Sequence, residues 1–373
     1  MPIYMDQLRN AMFREVHGTS NASNRALPLE GLRVVLNAGN GAGCFFNQVL
    51  EECGADVSNS IHLVPDGTFP ERTGVPNPEY KPMMEETIEA CQKCNADIGI
   101  MLDTDADRCG FVVPIEVDGN SKTRIYKALN RNRLIALLGV IFSSSSPCCT
   151  IVTDSVTSEG LSSFLTDHLG INHVRYLKGY ANVIGKAKEL TESGQALAEV
   201  AIETSGHCAM RENGYLDDGT YTAVKVVSLL AKITNDMKKE EKQDVSLFNL
   251  ISELQELDEV NEFRMKVLDD SIDTTKEIFN NLRILLQEEC KTRNEWELDE
   301  QNLEGVRIRI EENGFFMLRM SLHDPIISLL VEGKDRHTVE SVVLYPILNV
   351  IRNNLNADHL DSSVLENYSK SNK

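Results

Sequence analysis

The feature that most constrains the fold is an internal repeat of a strand, a small-residue turn and a helix. Its first copy begins at Val34 and reads VVLNAGNGAGCFFNQVLEECGADV, and its second begins at Ile151 and reads IVTDSVTSEGLSSFLTDHLGINHV. Runs of β-branched residues that alternate with helical patterns are typical of parallel sheets covered by helices. The repeat therefore predicts two similar α/β units in tandem.

The same patterns predict the individual elements. Strands are expected at 33–38, 98–102, 149–154, 173–177 and 198–203, and helices near 44–53, 80–94, 127–142, 158–169 and 181–190. A charged connector at 235–244 precedes a last unit with a helix near 272–288 and a hairpin that turns at Asn313 and Gly314. The predicted class is α/β, with tandem mixed or parallel-sheet α/β/α domains followed by a smaller α+β C-terminal domain.

Four segments follow from this pattern: 1–30, 31–140, 141–240 and 246–373. Residues 1–16 are predicted to form a short amphipathic helix, and the polar stretch HGTSNASNRALPLEG after it reads as a linker. A helix of that length has no core of its own, so we expect 1–30 to be the remnant of a first domain that is missing. Loss of a domain would expose apolar surface, and self-association is therefore expected.

Composition excludes two classes of partner. The chain has 57 acidic and 37 basic residues and a net charge of −20, which repels nucleic acid and anionic membranes. Its nine cysteines have no regular spacing, which is typical of a reduced intracellular protein. The opening residues lack the long apolar run of a signal or membrane anchor. We expect a cytoplasmic protein; an organellar protein is the alternative, since a missing N-terminus could have held a transit peptide.

The stretch MLDTDADRCG places three carboxylates, Asp103, Asp105 and Asp107, directly before Arg108. Such spacing cannot share one helix face, but a loop can gather all three around a cation that prefers oxygen ligands, most simply Mg²⁺. Arg108 would offer donors to a phosphate. A solvated acidic loop explains the motif alone equally well. The position after the apolar strand IGIML favours a ligand site.

A second polar loop follows the corresponding strand of the second repeat. ALAEVAIETSGHCAMR aligns with ADIGIMLDTDADRCGF, and its Glu203, Ser205 and His207 offer donors and acceptors at a Gly206 turn. Such groups suit the hydroxyls of a sugar. A capped turn is the alternative reading of ETSGH by itself. Its register with the aspartate loop favours a ligand, since open sheets bind ligands beyond the carboxyl ends of their strands.

Taken together, these motifs resemble a known family. DTDADR, ETSGH with LDDG downstream, NAGNGAG, and DGTFP followed by VPNPE resemble the α-D-phosphohexomutases, the phosphoglucomutase and phosphomannomutase superfamily. The resemblance covers about 31–230 well and the last unit more loosely. It implies four domains around a cleft, Mg²⁺, and intramolecular phosphotransfer between the 1 and 6 positions of a hexose through a phosphoserine.

The resemblance also implies roles for residues. Asp103, Asp105 and Asp107 would be metal ligands, and Arg108 would contact a phosphate in the active site. Sugar hydroxyls would be held by Glu203 and Ser205, and a further sugar-facing loop would begin at Gly179 and Tyr180. The expected ligands are a hexose phosphate or a hexose bisphosphate, and the sequence does not identify the hexose.

The chain departs from the family pattern in two places. The TASHNP-like loop that carries the phosphoserine has no counterpart in it, so we assign no nucleophile. RMSLHDP stands where the family has a phosphate loop like RPSGTEP; Arg319, Ser321 and Pro325 keep their spacing, whereas Leu322 and His323 replace Gly and Thr. Arg319 and Ser321 are candidate phosphate ligands, and a charged hairpin end is the alternative.

These departures lead to two hypotheses about activity. The first is a phosphohexomutase-like chain that is inactive as it stands because the serine domain is absent. The second is a non-catalytic protein that binds a sugar phosphate or associates with an intact mutase. Both predict a sugar-phosphate ligand and Mg²⁺, and they differ in whether a complete enzyme ever forms.

Overall fold

The computed structural model describes residues 1–18, 26–70, 74–117, 124–240, 246–321, 324–354 and 359–370. The chain divides into two compact units. The first comprises Met1–Asp154, Phe164–Val174 and Gly179–Leu254, and the second comprises Ser155–Ser163, Arg175–Lys178 and Gln255–Lys373. Residues 19–25 of the predicted linker and the end of the charged connector lie outside the described residues. Among the helices described, none combines the length and the apolar character needed to cross a membrane.

The N-terminal part of the chain, which contains the first repeat, forms a four-stranded sheet with its helices. Its elements are α1 (Pro2–His17), β1 (Val34–Asn37), α2 (Phe46–Glu52), α3 (Lys81–Cys94), β2 (Ile98–Leu102), β3 (Cys109–Val117) and β4 (Arg124–Ala128). The strand order is β1-β2-β3-β4, in which β1 and β2 are parallel and the other pairs antiparallel. Every residue of β1 and β2 is buried, as expected of strands covered on both faces.

The second repeat forms a similar sheet. Its elements are α4 (Asn132–Ser145), β5 (Thr150–Asp154), α5 (Glu159–Ser163), β6 (Asn172–Tyr176), α6 (Tyr180–Glu192), β7 (Ala198–Ile202), β8 (Cys208–Met210) and α7 (Gly219–Glu240). The strand order is β6-β5-β7-β8, with β5 and β7 parallel and β8 antiparallel to β7. Both sheets therefore add an antiparallel strand to a parallel pair, which confirms the predicted tandem of α/β units.

One predicted helix begins later than expected. The pattern favoured a helix near 127–142, whereas α4 begins at Asn132. The reason is that Arg124–Ala128 pairs with β3 as an edge strand, and Arg131 then adopts a positive φ of 54°. Pairing with a neighbouring strand overrides the local helical pattern at this point.

The second unit has an antiparallel sheet and is α+β, as predicted. Its elements are β9 (Glu259–Val267), α8 (Ile272–Cys290), β10 (Glu297–Leu298), β11 (Val306–Ile310), β12 (Gly314–Met320), β13 (Ile326–Gly333), α9 (Arg336–Thr338), α10 (Tyr345–Asn354), β14 (Leu360–Asp361) and α11 (Ser363–Lys370). The strand order is β10-β11-β12-β13-β9-β14. The predicted hairpin joins β11 to β12 at the pair Ile310 and Gly314, with Glu312 and Asn313 at positive φ in its turn.

Helix α1 packs on the rest of the first unit. Leu8, Ala11 and Met12 are buried, and the helix contacts α7 and α2. Glu15 also accepts a 2.8 Å hydrogen bond from Nζ of Lys225, which is itself buried on α7. The apolar face of the first helix is therefore covered by the first unit, and the origin of residues 1–30 in a missing domain stays a prediction.

The C-terminal segment of the second unit begins at Gln255, and the predicted boundary at 246 stays a prediction. A 3₁₀ helix over Leu247–Ile251 buries its first and last side chains within the first unit. Its Phe248 ring lies 5.1 Å from Nζ of Lys127 and 5.4 Å from the guanidinium carbon of Arg133. The finer division of the chain at 31–140 and 141–240 stays a prediction.

The second unit also takes in two earlier segments of the chain, because Arg307 binds one of them. The Arg307 side chain has no exposed surface and donates to the carbonyl oxygens of Ser155 and Thr157, each at 2.9 Å, and to Glu159 at 2.7 Å. Its guanidinium carbon lies 3.5 Å from the ring centroid of Phe315. The unit is therefore discontinuous in sequence.

Candidate functional site

The two polar loops predicted from the sequence lie side by side in the first unit. Asp103 directly follows β2 and Glu203 directly follows β7, so each loop extends from the carboxyl end of a parallel strand. An isolated antiparallel bridge between Arg108 and His207 joins the loops. The tandem repeat thus brings two different strand-end loops to one place, where open α/β sheets bind ligands.

The aspartate loop folds back on itself around Asp103. This carboxylate is fully buried; Oδ1 accepts the backbone N–H of Arg108 at 3.1 Å, and Oδ2 accepts Nε of Arg108 at 2.7 Å. Ala106 has a positive φ of 65°, which turns the chain between Asp105 and Asp107. As a result, one oxygen from each of the three carboxylates lies within 4.8 Å of the others.

The electrostatics of this cluster favour a cation. Burial raises the pKa of Asp107 to about 7, and the neighbouring Asp103 carboxylate adds to the shift. Oδ1 of Asp107 is buried and has no hydrogen-bond partner among the described residues. An unsatisfied buried carboxylate oxygen is costly. Three converging carboxylates, one of which has an oxygen without a hydrogen-bond partner among the described residues, therefore fit a hard divalent cation that prefers oxygen ligands.

His207, in the second loop, lies close to a carboxylate of the aspartate loop and to one of the LDDG segment. Its Nδ1 lies 2.8 Å from Oδ2 of Asp217 and 3.5 Å from Oδ2 of Asp107. Burial by itself would lower the pKa of His207, but the hydrogen bond and the charge of Asp217, together with Asp107, raise it above its ordinary value. Asp217, in the LDDG segment, has no role among the sequence-based predictions; the available signal was a histidine ten residues before an acid pair.

The second loop is held by its own hydrogen bonds. The Glu203 carboxylate is buried and accepts the backbone N–H of Gly179 at 2.6 Å and the hydroxyl of Ser205 at 3.2 Å. The half-exposed ring of Tyr180 stacks on His207, with 4.9 Å between ring centroids. The predicted residues 179–180 and 203–207 thus lie together beside the aspartate loop.

The LDDG segment, residues 216–219, packs against the backbone of the aspartate loop. The N–H of Gly219 donates to the carbonyl oxygen of Ala106 at 3.0 Å. A Cβ at Gly219 would lie 2.7 Å from the carbonyl carbon of Arg108, so the close approach requires glycine. A cavity of about 270 Å³ opens next to this contact; its lining residues are Tyr4, Phe45, Asp105, Ala106, Asp107, Leu216, Asp217, Asp218 and Thr220.

Arg319 and Ser321 belong to the second unit. Nη2 of Arg319, at the end of β12, lies 3.0 Å from Oε1 of Glu262. The hydroxyl of Ser321 accepts the N–H of Asp324 at 3.2 Å. Residues 322 and 323, on which the predicted departure from a phosphate loop depends, lie outside the described residues.

Fold and site together define a class: tandem α/β units whose strand-end loops present carboxylates together with hydroxyl and imidazole groups. Comparison with known proteins makes the class specific. Residues 3–115 match the family model for phosphoglucomutase/phosphomannomutase, alpha/beta/alpha domain II, and residues 130–253 match the model for domain III of the same family. The chain belongs to the phosphoglucomutase/phosphomannomutase family, within the α-D-phosphohexomutase superfamily.

Individual relatives agree with this assignment. A phosphomannomutase/phosphoglucomutase of Pseudomonas putida is 28% identical over 305 residues, which cover 81% of this chain and 57% of that protein. The crystal structure of a family protein from Burkholderia thailandensis has a TM-score of 0.68 at 21% identity, over 94% of this chain and 65% of that one. An Aspergillus fumigatus N-acetylphosphoglucosamine mutase, solved with GlcNAc-6P and magnesium, has a TM-score of 0.54 at 11% identity, over 93% of this chain and 69% of that one.

Proposed function

We propose that this chain supplies the magnesium and sugar-binding part of an enzyme for intramolecular phosphotransfer on hexose phosphates, interconverting 1-phosphates and 6-phosphates. The observation that carries the proposal is the cluster of Asp103, Asp105 and Asp107 next to the Glu203 loop. Family membership supports the same reaction class, and the magnesium in the structure of the Aspergillus relative supports the choice of cation. The chain spans only part of its relatives, so substrate and activity are stated as proposals.

Each side chain has a proposed task. Asp103, Asp105 and Asp107 would hold Mg²⁺, which when bound stabilises the negative charge of a transferring phosphoryl group. Arg108, a quarter exposed beside these carboxylates, would orient a phosphate through its guanidinium. The Asp103 carboxylate already fixes Nε of Arg108, which sets the direction of that side chain.

The second loop would bind the sugar. Glu203 and Ser205 would accept and donate hydrogen bonds to hydroxyl groups, and the half-exposed ring of Tyr180 would pack against the sugar next to Gly179. Because Asp217 engages Nδ1 of His207, Nε2 is the ring atom that would exchange a proton or hydrogen bond with a ligand. Arg319 and Ser321 are proposed for a substrate phosphate, and Arg319 would have to exchange Glu262 for it.

We also propose that this chain has no phosphotransfer activity by itself. Phosphotransfer needs an in-line nucleophile, and these residues contain no stretch like the family's serine loop. We propose that the chain alone binds a hexose phosphate or bisphosphate without turnover. Self-association, or pairing with an intact mutase, is proposed as well; Met1, Ile3 and Leu216 are each more than half exposed in the first unit and would contribute apolar contacts.

Calorimetry and a coupled assay test the proposal together. Purified protein would be titrated with glucose 1-phosphate, mannose 1-phosphate and glucosamine 6-phosphate, each with and without Mg²⁺, and assayed for conversion of each. Magnesium-dependent binding without turnover supports the proposal. Failure to bind any sugar phosphate would reject it, and turnover by the chain alone would reject the inactive state. Light scattering at several concentrations tests self-association, which a clean monomer would contradict.

A further inference from the structure

Helix α1 reaches the candidate site through Tyr4. The hydroxyl of this residue lies 2.7 Å from both carboxylate oxygens of Asp218 and 2.5 Å from Oγ1 of Thr220. Its ring lies 5.7 Å from the ring of Phe45 and lines the cavity that also borders Asp105 and Asp107. Burial and the adjacent Asp218 carboxylate raise the pKa of Tyr4, so the hydroxyl stays protonated and donates.

The acceptor, Asp218, is a junction of hydrogen bonds. It is buried, and its Oδ1 accepts the N–H of Tyr221 at 2.9 Å and the hydroxyl of Thr220 at 2.8 Å. Its Oδ2 accepts Nδ2 of Asn213 at 3.1 Å. These donors and Tyr4 fix the carboxylate at the start of α7. A buried carboxylate that loses one of several donors shifts toward those that remain.

The residues on either side of Asp218 contact both halves of the site. Asp217 holds Nδ1 of His207, and the N–H of Gly219 holds the carbonyl oxygen of Ala106 between two of the aspartates. A Cβ at Gly219 would clash with the backbone at Arg108, so this packing tolerates little displacement. A shift of the Asp218 carboxylate would therefore displace Asp217 and Gly219, the residues that contact His207 and the aspartate loop.

We propose that Tyr4 is a positioning residue for the cation site: by fixing Asp218 it holds Asp217 and Gly219 where they orient His207 and the aspartate loop. The inference rests on the proposed function, because it requires that the aspartates bind a divalent cation. It makes helix α1 a part of the site, in addition to its packing on α7. Partners that orient metal ligands contribute to affinity without touching the metal.

A simple structural role for Tyr4 predicts a different result, and the same helix pair offers a matched control. Tyr221 is a second tyrosine between α1 and α7; it is buried, and its hydroxyl donates to Oε1 of Glu212 at 3.0 Å and accepts from Nη2 of Arg14 at 3.3 Å. Tyr4→Phe and Tyr221→Phe each delete one hydroxyl from this interface. If Tyr4 merely anchors the helix, both variants should lower stability and neither should affect the cation.

The experiment is a titration of the purified protein with Mn²⁺, a spectroscopic substitute for Mg²⁺, followed by electron paramagnetic resonance, with the Tm of each variant measured in parallel. For Tyr4→Phe we expect the Mn²⁺ Kd to rise about tenfold, and for Tyr221→Phe to stay within about twofold of wild type. Unchanged affinity in Tyr4→Phe, or equal weakening in both variants, would overturn the inference.

A second variant tests the same junction from its acceptor side. Asp218→Asn keeps the side-chain shape but removes a full acceptor from the junction, and it should also weaken Mn²⁺ binding. If Tyr4 acts through Asp218, the double variant should lose less affinity than the product of the single losses. Wild-type protein that binds no Mn²⁺ would overturn the proposed function and this inference with it, whereas tight binding that ignores both substitutions overturns the inference alone.

Discussion

The loops at 103–108 and 203–207 occupy the same position in two copies of one fold, yet they are stabilised in opposite ways. Each begins with a buried carboxylate directly after a parallel strand. The Glu203 carboxylate accepts hydrogen bonds from Gly179 and Ser205. In the aspartate loop, Oδ1 of Asp107 is buried without a hydrogen-bond partner among the described residues. The fold thus determines where a loop lies, and the next few residues determine whether it needs a cation.

The two loops should therefore differ in stability when no cation or ligand is bound. Like charges in a partly buried loop repel one another, so the aspartate loop should be the less stable of the two until a cation binds. The Glu203 loop should be stable without a ligand, because its hydrogen bonds are internal. Removal of a carboxylate from the aspartate loop should therefore weaken cation binding but raise stability when no cation is bound. The Glu203 loop has no such repulsion to relieve, so removal of its carboxylate should only weaken ligand binding.

The largest effect is expected for Asp107→Asn. Loss of this carboxylate should weaken Mn²⁺ binding more than about 100-fold, beyond the usual loss for an outer partner of a metal site. The same substitution should raise the Tm in EDTA, since it removes the repulsion with Asp103. Asp105→Asn is the control: that residue is exposed, so binding should weaken while the Tm in EDTA stays the same. A lower Tm for Asp107→Asn in EDTA would contradict the comparison.

Glu203→Gln tests the other loop. The amide can no longer accept from both Gly179 and Ser205 as a carboxylate does, so sugar-phosphate affinity should fall about 10-fold to 100-fold, the range for a lost charged hydrogen bond. Calorimetry with a hexose phosphate measures this loss. Mn²⁺ affinity serves as the internal control and should not change. If both affinities fell together, the two loops would not be separable binding elements.

Gly206→Ala should be the next largest effect, on stability. Gly206 has a φ of 101°, and a Cβ there would lie 2.8 Å from the carbonyl oxygen of Cys109, on the strand that follows the aspartate loop. Gly214 also has a positive φ, 66°, but its Cβ would meet nothing within 4 Å. Urea denaturation should show a loss of about 3 kcal/mol for Gly206→Ala and about 1 kcal/mol for Gly214→Ala. Equal losses would mean that the loops are not in close contact.

The smallest effect concerns pH. The pKa of Asp107 is raised from 3.8 to about 7, so its folded state favours the proton, and stability should fall as the pH rises across that range. The raised pKa of His207 has the same sign, because its stabilising charge is lost as the pH rises above its ordinary 6.5. In EDTA, the Tm advantage of Asp107→Asn over wild type should grow up to about pH 7. A pH-independent difference would contradict the assigned cause.

Much of the first unit could be predicted because its parallel strands are buried on both faces. The short, largely apolar and β-branched runs of β1, β2, β5 and β7 identify them without knowledge of their partners. The edge strand β4 could not be separated from a helix start, since its identity depends on pairing with β3. Likewise, the fold location of the aspartate loop was predictable, because a polar motif followed a buried strand.

The support of the site was harder to predict, because it depends on tertiary contacts. Asp217 reaches His207 only after the chain between them has folded back, and the spacing of the two residues in the sequence does not by itself specify that contact. Tyr4 meets Asp218 from more than 200 positions away in sequence. The first helix was expected to stand apart because amphipathic periodicity gives a face but does not identify the surface that covers it.

The buried Arg307 has a consequence for anyone who wishes to cut this protein into pieces. A fragment that starts at Gln255 would keep the guanidinium and lose Glu159, which lies 148 positions earlier, along with the carbonyl groups of Ser155 and Thr157. Removing one partner of a buried ion pair typically costs about 3–5 kcal/mol. A gene segment for the C-terminal unit should therefore also encode 155–163 and 175–178, joined through designed connections, because this folding unit is not one continuous stretch of the polypeptide.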